Sequence, residues 1–337
     1  NAKMYSDVFS GTYGRQTTAT RLSAASGFGN NAEQSIDPLI QQRLAADVRT
    51  VSRGGNEGVG NVMFINGLNS LSANAQPLIV IDGVLMDMQY NRSMLHDGYY
   101  NNILANLNVN DIDKVEVLKN GTAIYGAKGA NGVVLITTKR NRSMATKIDV
   151  TIGGKYQLQP RTASMLDADE YRTYATEMLA AKMTDVSGLK FLVSDPNYYY
   201  YPTYHNNTDW KKEAYREAFA QSYGINVQGG DAVANYNLSV GYTSANSTLK
   251  GNDFSRFDMR MNTDICIIEN LDVRFDASFS DVSRDLRDIG MAADVESSTI
   301  TAPNVLALIK APFLSPYAYD FNGNLSSFHS EADDYLE

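Results

Sequence analysis

The strongest constraint on this chain is a period-two alternation of apolar and polar residues that returns four or five times after residue 143. From Lys147, Ile148, Val150 and Ile152 alternate with Asp149, Thr151 and Gly153. From Asn235, Tyr236, Leu238, Val240 and Tyr242 alternate with Asn237, Ser239, Gly241 and Thr243. From Phe257, Met259, Met261, Ile265 and Ile267 alternate with Asp258, Arg260, Asn262, Asp264 and Cys266. From Leu271, Val273, Phe275, Ala277 and Phe279 alternate with Asp272, Arg274, Asp276, Ser278 and Ser280. Tyr223, Ile225 and Val227 make a shorter run. Alternation of this length predicts strands with one apolar and one polar face.

A β-sandwich and an open two-layer sheet share that signature. The connections separate them from a membrane barrel. Glu269-Asn270 is a two-residue link and residues 229–234 form a short one, whereas residues 159–218, residues 244–255 and the stretch after 283 are long. Numbered from Lys147, short links follow the even strands and long ones the odd strands, which is the loop pattern of an outer-membrane barrel. Strands of about ten to twelve residues suit a tilted bilayer crossing. Tyr236, Leu238, Val240, Met259, Met261, Val273 and Phe275 are then predicted to face lipid. The Asp, Arg and Asn set is predicted to face a wet lumen, where charges need no partner. Five strands cannot close a barrel, so a longer protein is expected. The sequence begins at Asn1 with neither Met nor a signal peptide, which reads as processed or truncated.

Residues 1–143 have a different texture. Short β-branched runs at 62–65, 77–81, 115–118 and 133–137 read as strands. Ser35-Ile36-Asp37-Pro38 reads as a helix start, with Leu39, Ile40, Leu44 and Val48 at helical spacing. Asn110-Asp111-Ile112-Asp113 reads as a second helix-capping signal. Further on, Ser164 and Asp167 read as a capping pattern for a helix over 167–183.

Composition excludes several classes. A net charge of −9 argues against a general nucleic-acid binder, which needs a basic face to neutralise phosphates. Cys266 is the single cysteine, which excludes an internal disulfide and a Cys-based zinc site. His96, His205 and His329 lie far apart with no metal-ligand spacing, so no metal is expected. No run of about 18 apolar residues occurs, so no transmembrane helix is predicted; a barrel is untouched by that test.

One block carries a resemblance. Leu107-Asn108-Val109-Asn110-Asp111-Ile112-Asp113-Lys114-Val115 runs on through Gly121-Thr122-Ala123-Ile124-Tyr125-Gly126 and Gly129-Ala130-Asn131-Gly132 to Val133-Val134-Leu135-Ile136-Thr137. It resembles the plug signature of TonB-dependent transporters of the SusC/RagA family. Pro77-Leu78-Ile79-Val80-Ile81-Asp82-Gly83-Val84 resembles the same family's other plug hallmark, and Thr208-Asp209-Trp210 with Phe219 to Tyr223 looks like the approach to its second barrel strand. Two departures stand out: only Asn120-Gly121 separates Lys119 from Thr122, and Asn66 replaces the usual Arg before Gly67.

The resemblance implies a transmembrane antiparallel β-barrel, with about its first five strands present, preceded by a mixed α/β plug domain. The plug would span 1–143, and 144–337 would hold the first barrel strands with long extracellular loops. It implies a barrel of about 22 strands in the outer membrane of a Gram-negative bacterium. It also implies TonB-dependent active import of an oligosaccharide or peptide, with a SusD-like surface lipoprotein as lid. A dimer of transporter–lipoprotein pairs stays open. The alternative is a binding or signalling receptor of the same architecture that does not transport. Asp7 to Gly14 resembles the segment near a TonB-binding box; a coupling role and a plain leader both stay open.

Asp82, Gly83, Asp111, Tyr125, Gly126, Gly129 and Gly132 are then structural members of the plug signature. The Gly126, Gly129 and Gly132 spacing is a poor dinucleotide fingerprint, because no helix follows; turns that let the plug pack on the barrel wall are the better reading. Candidate substrate contacts are Asp87, Met88, Tyr90, Arg92, His96, Tyr99 and Tyr100, with a packed plug loop as the alternative. Tyr199, Tyr201 and Tyr204 are candidates for lid or ligand contact. Asp320-Phe321-Asn322-Gly323-Asn324, with Glu331 at the twelfth position, has the spacing of a calcium loop but fits a hairpin turn better, so no cofactor is expected. Carboxylates are plentiful without a recognisable acid–base or nucleophile motif, so no enzyme is expected.

Overall fold

In a computed structural model, residues 19–23, 35–51, 58–70, 74–87, 103–141, 145–182, 185–268, 271–287, 302–320 and 322–329 are described. They fall into two compact units. The first takes residues 1–156, 219–246 and 253–285, and the second takes 157–218, 247–252 and 286–337, each with respect to its described parts.

The first unit opens with β1 (Ala19–Ser23), α1 (Ile36–Leu44), β2 (Arg49–Val51), β3 (Val62–Phe64), β4 (Leu78–Ile81), β5 (Val84–Met86), β6 (Ile112–Leu118), α2 (Thr122–Tyr125) and β7 (Val133–Thr138). Five of these strands form one sheet in the order β1-β6-β7-β4-β5, parallel only between β4 and β7. Alternation divides its side chains. Ile79, Ile81, Val115, Val117, Val134 and Ile136 meet Ile36, Leu39, Ile40 and Leu44 of α1 in the main core. Val80, Leu118 and Val133 form a smaller cluster on the other face. The Ser35 hydroxyl caps α1 by accepting from the Asp37 N–H, as the sequence suggests. Val48 is buried in the same core although it lies beyond the end of the helix.

The second capping signal comes out differently. Asn108, and not Asn110, is the cap, and it opens a single 3-10 turn over Val109–Asp111 that runs straight into β6. The β-branched residues that follow decide in favour of the strand.

The same unit holds a second sheet: β8 (Lys147–Gln157), β9 (Ala218–Gly230), β10 (Ala234–Asn246), β11 (Asp253–Ile268) and β12 (Leu271–Arg284), in the order β12-β11-β10-β9-β8. The pairings of β9 with β10, β10 with β11 and β11 with β12 are antiparallel. Tyr236, Leu238, Val240, Met259, Met261, Val273 and Phe275 are all exposed and share the outer face, as alternation predicts. Their neighbours Asn237, Ser239, Arg256, Asp258 and Asn262 are buried on the other face. The long connection expected over 244–255 shrinks to residues 247–252, because β10 and β11 extend their pairing to Asn246 and Asp253. The β9–β10 turn is short, and Asp231 closes it by accepting from the Val233 and Ala234 N–H groups at 2.8 and 2.7 Å.

The second unit contains α3 (Ala168–Ala180), α4 (Tyr201–Tyr204), α5 (Trp210–Ala214), α6 (Pro303–Ile309) and the hairpin β13 (Tyr317–Tyr319) and β14 (Leu325–His329). Its core stacks Phe191 on Phe313 at 4.9 Å between ring centroids, with Tyr204 and Leu314 around them. Trp210 donates from Nε1 to the Ala311 carbonyl at 2.9 Å, and Thr208 Oγ1 donates to that of Leu314 at 2.6 Å.

The cap of α3 is corrected. Asp167 is itself the N-cap and accepts from the N–H groups of Asp169 and Glu170, while Glu170 Oε2 accepts from the Asp167 N–H at 3.2 Å. The capping box is therefore Asp167 with Glu170, three residues later than Ser164 with Asp167, and the helix ends at Ala180. Asp167→Ala is expected to weaken the first turn by about 1 kcal/mol. Amide exchange over residues 168–171 should then quicken about fivefold, with little change in the sheets.

Candidate functional site

The site with the densest chemistry is the contact between the plug sheet and the inner face of β10 and β11. The chain before β6 reaches that wall through two 3-10 turns, Ile103–Asn106 and Val109–Asp111. Asn108, already fixed as a cap, donates from Nδ2 to Asp258 Oδ2 at 2.9 Å. Opposite it, a Cβ on Gly241 would sit 2.4 Å from Asn108 Nδ2 and 2.6 Å from Asp258 Oδ2. A side chain at 241 would have to displace the Asn108–Asp258 hydrogen bond.

Arg256 is 2% exposed and carries much of the tie. Its Nε pairs with Asp258 Oδ1 at 3.1 Å, and its terminal nitrogen donates to the carbonyls of Ala105 and Leu107 at 2.8 and 3.3 Å. Arg260, four residues on and on the same face, reaches two plug carboxylates: Asp82 Oδ2 at 3.4 Å and Asp111 Oδ2 at 3.8 Å. Asp82 belongs to the β4–β5 turn, where Asp82 and Gly83 both have positive φ, 49° and 87°. That is the two-residue turn that Asp-Gly favours between paired strands. The turn aims the Asp82 carboxylate at the end of β7, where it accepts from the Thr138 N–H at 2.9 Å and from Thr138 Oγ1 at 2.7 Å.

Beyond β7 the contact continues. Asn262 Nδ2 donates to Thr138 Oγ1 and to the Lys139 carbonyl, each at 2.9 Å, and Asn237 Nδ2 reaches the same carbonyl at 3.2 Å. Arg140 donates to Asp264 at 2.8 Å and to Asp276. Asp111 lies in the middle of this network. Burial pushes its carboxyl up to about 6, and the charge of Asp258 adds to the rise; the Ser239 hydroxyl, Arg260 and Lys139 oppose it.

The polar inner face thus departs from the expectation of water-solvated, unpaired charges. Arg256, Asp258, Arg260 and Asn262 meet plug atoms or one another, because the plug occupies the space that water would have filled. Sequence reasoning missed Asn108, Gly241, Arg256, Asp258 and Arg260 as functional residues. The available signal was the Arg-x-Asp-x-Arg pattern on one strand face, which a charged plug surface complements.

Of the residues singled out from sequence, Asp82, Gly83 and Asp111 lie at this contact or in the turn that builds it. Gly129 and Gly132 serve the plug's interior: a Cβ on Gly129 would lie 2.6 Å from the Gly121 carbonyl oxygen, and one on Gly132, at φ 92°, would lie 2.8 Å from Ile65. Gly126 has a φ of 59° in open surroundings, and Tyr125 packs on the smaller plug cluster. Asn66 donates from Nδ2 to the Lys119 carbonyl at 3.2 Å, joining the two departures from the signature. Asp87 is exposed after β5; Met88, Tyr90, Arg92, His96, Tyr99, Tyr100 and the stretch from Asp7 to Gly14 lie outside the described residues. In the second unit Tyr199 is exposed, Tyr201 stacks on His205 at 3.8 Å, and Tyr204 is buried against Phe313. The Asp320 carboxylate accepts from the N–H groups of Asn322 and Asn324, each at 2.8 Å, as a hairpin turn requires. Glu331 lies outside the described residues, and among those described no group of three or more metal-ligating side chains occurs.

Comparison with known proteins bears on this arrangement. Residues 20–133 match the model of the TonB-dependent Receptor Plug Domain. The TonB-dependent receptor SusC of Bacteroides thetaiotaomicron is 30% identical over 270 residues, which cover 79% of this chain and 24% of SusC. The fold is similar to the RagAB peptide importer in its closed-closed state, with a TM-score of 0.70 over 95% of this chain and 36% of that one, at 21% identity. The chain belongs to the TonB-dependent receptors, of the SusC/RagA type. The plug of this receptor is therefore the β1–β7 unit, and its β8–β12 sheet is the first part of a transmembrane barrel. TonB-dependent receptor P26 of Formosa agariphila is similar as well, at 29% identity over 74% of this chain and 23% of its own length. The receptor chain spans about a quarter of the length of these curated relatives.

Proposed function

We propose that the full-length protein is an outer-membrane importer, not an enzyme, that takes up an oligosaccharide or a peptide when TonB draws on the plug. The observation that carries this reading is the plug–wall contact: charged and amide groups hold a folded domain against the inner face of the barrel. A passive pore has no use for such a domain. Polar contacts can be exchanged for water when the plug is pulled, so the closure is firm at rest and reversible under load. The likeness to a peptide importer supports import as the activity. A SusD-like lipoprotein is the proposed partner at the outer face. Exposed Tyr199 suits contact with lid or solute, and the aromatic residues between 87 and 100 have the chemistry to stack on a sugar or peptide solute. No metal or other cofactor enters this scheme.

The test is uptake in cells carrying the full-length gene, with and without functional TonB, screened against pools of oligosaccharides and peptides. Uptake that disappears without TonB is the expected result, and the active pool names the substrate class. Binding with no TonB-dependent uptake would replace this reading with a receptor that does not transport.

A further inference from the structure

We propose that Asp111 is a proton-binding latch, a plug carboxyl group whose protonation decides how firmly the plug stays seated against the β10–β11 wall. Its surroundings are specific. Asp111 is 4% exposed. Facing it from β11 are Arg260, 3.8 Å away, and the Asp258 carboxylate; from β10 comes the Ser239 hydroxyl; and Lys139 lies just beyond β7. Arg260 also reaches Asp82 on the β4–β5 turn, and Arg256 beside Asp258 feels the Asp111 charge. At 3.8 Å and shared between two carboxylates, Arg260 falls well short of a close charge-assisted bond, so it compensates burial only in part.

The consequence follows from linkage. Seated, the Asp111 carboxyl titrates at about 6; on a withdrawn plug it meets water and returns to its ordinary value of 3.8. Withdrawal between those values releases a proton. Below 3.8 the group is neutral in both states and burial costs it nothing. As pH rises through about 6, the seated plug must hold a buried charge that the withdrawn plug would hydrate, so seating weakens. The latch is tight in acid and loosened toward neutrality. This inference needs only the plug-in-barrel arrangement, and neither TonB nor the identity of the solute enters it.

The experiment uses the full-length protein in planar bilayers without substrate or TonB. Urea is titrated until the plug leaves and conductance rises, from about pH 4 to about pH 8. The opening equilibrium of the native protein should rise with pH about 100-fold more than that of Asp111→Asn, which keeps the shape of the neutral carboxyl group. Arg260→Gln, which removes the guanidinium that favours the charged form, should move the native transition to higher pH. An Asp111→Asn response equal to the native one, or a transition that Arg260→Gln leaves in place, would overturn the proposal. Because import is not measured, failure here leaves the uptake result untouched.

Discussion

Arg256→Ala is expected to loosen the plug by about 3–5 kcal/mol, the cost typical of removing one partner from a buried ion pair. The side chain is 2% exposed, so its removal leaves the buried Asp258 carboxylate without its cation. Its loss leaves Asp258 with the Asn108 amide alone among the contacts described above, and it takes a charged donor from the carbonyls of Ala105 and Leu107. Those carbonyls belong to the stretch that lays the plug along the wall, so the effect should concentrate on seating. In the full-length protein, the urea concentration that makes the plug protease-sensitive should fall, while the barrel keeps its heat-dependent gel mobility. An unchanged plug midpoint would mean that the seating energy lies elsewhere on the wall.

The second large effect is on the opposite face. Leu238 is the fifth residue of a 13-residue strand and pairs across to Met261, in an apolar stripe that in this family faces the bilayer. Leu238→Arg is expected to cost about 2–4 kcal/mol when the full-length protein folds into phospholipid vesicles. Ala234→Arg, on the same face at the first residue of β10, should cost only about 0–1 kcal/mol, because the strand end lies near the headgroups. Equal costs at the two positions would show that this face does not cross the membrane at the assigned depth.

Much of this architecture is written in the sequence in forms that local physics can read. The runs around Leu238, Met259 and Phe275 need no tertiary information, since a two-residue period has one structural meaning at that length. The Asp82-Gly83 pair likewise announces its turn, because few other residues accept positive φ twice in succession. What stayed hidden depends on what lies opposite. Nothing within the sequence around Arg256 and Asp258 says whether the lumen holds water or a protein domain, so paired charges look the same there as solvated ones. The six-residue link between β10 and β11 looks longer in the sequence for a related reason: Phe254 and Arg256 point inward to a plug contact, and Asp253 and Ser255 beside them are too polar to extend the visible stripe. The cap at Asp167 was displaced because Ser164 and Asp167 satisfy the same spacing rule as Asp167 and Glu170, and only the helix start distinguishes them.

The alternation on β11 also works as a proofreading device during assembly. A strand that paired one residue out of step would carry Arg256, Asp258 and Arg260 to the bilayer side and turn Met259 and Met261 toward the plug. Such a misassembled wall would offer Asn108 and Asp82 nothing to hold, so the plug would stay unseated and open to proteases. Correct insertion and correct closure are thereby checked by the same six consecutive residues, 256–261.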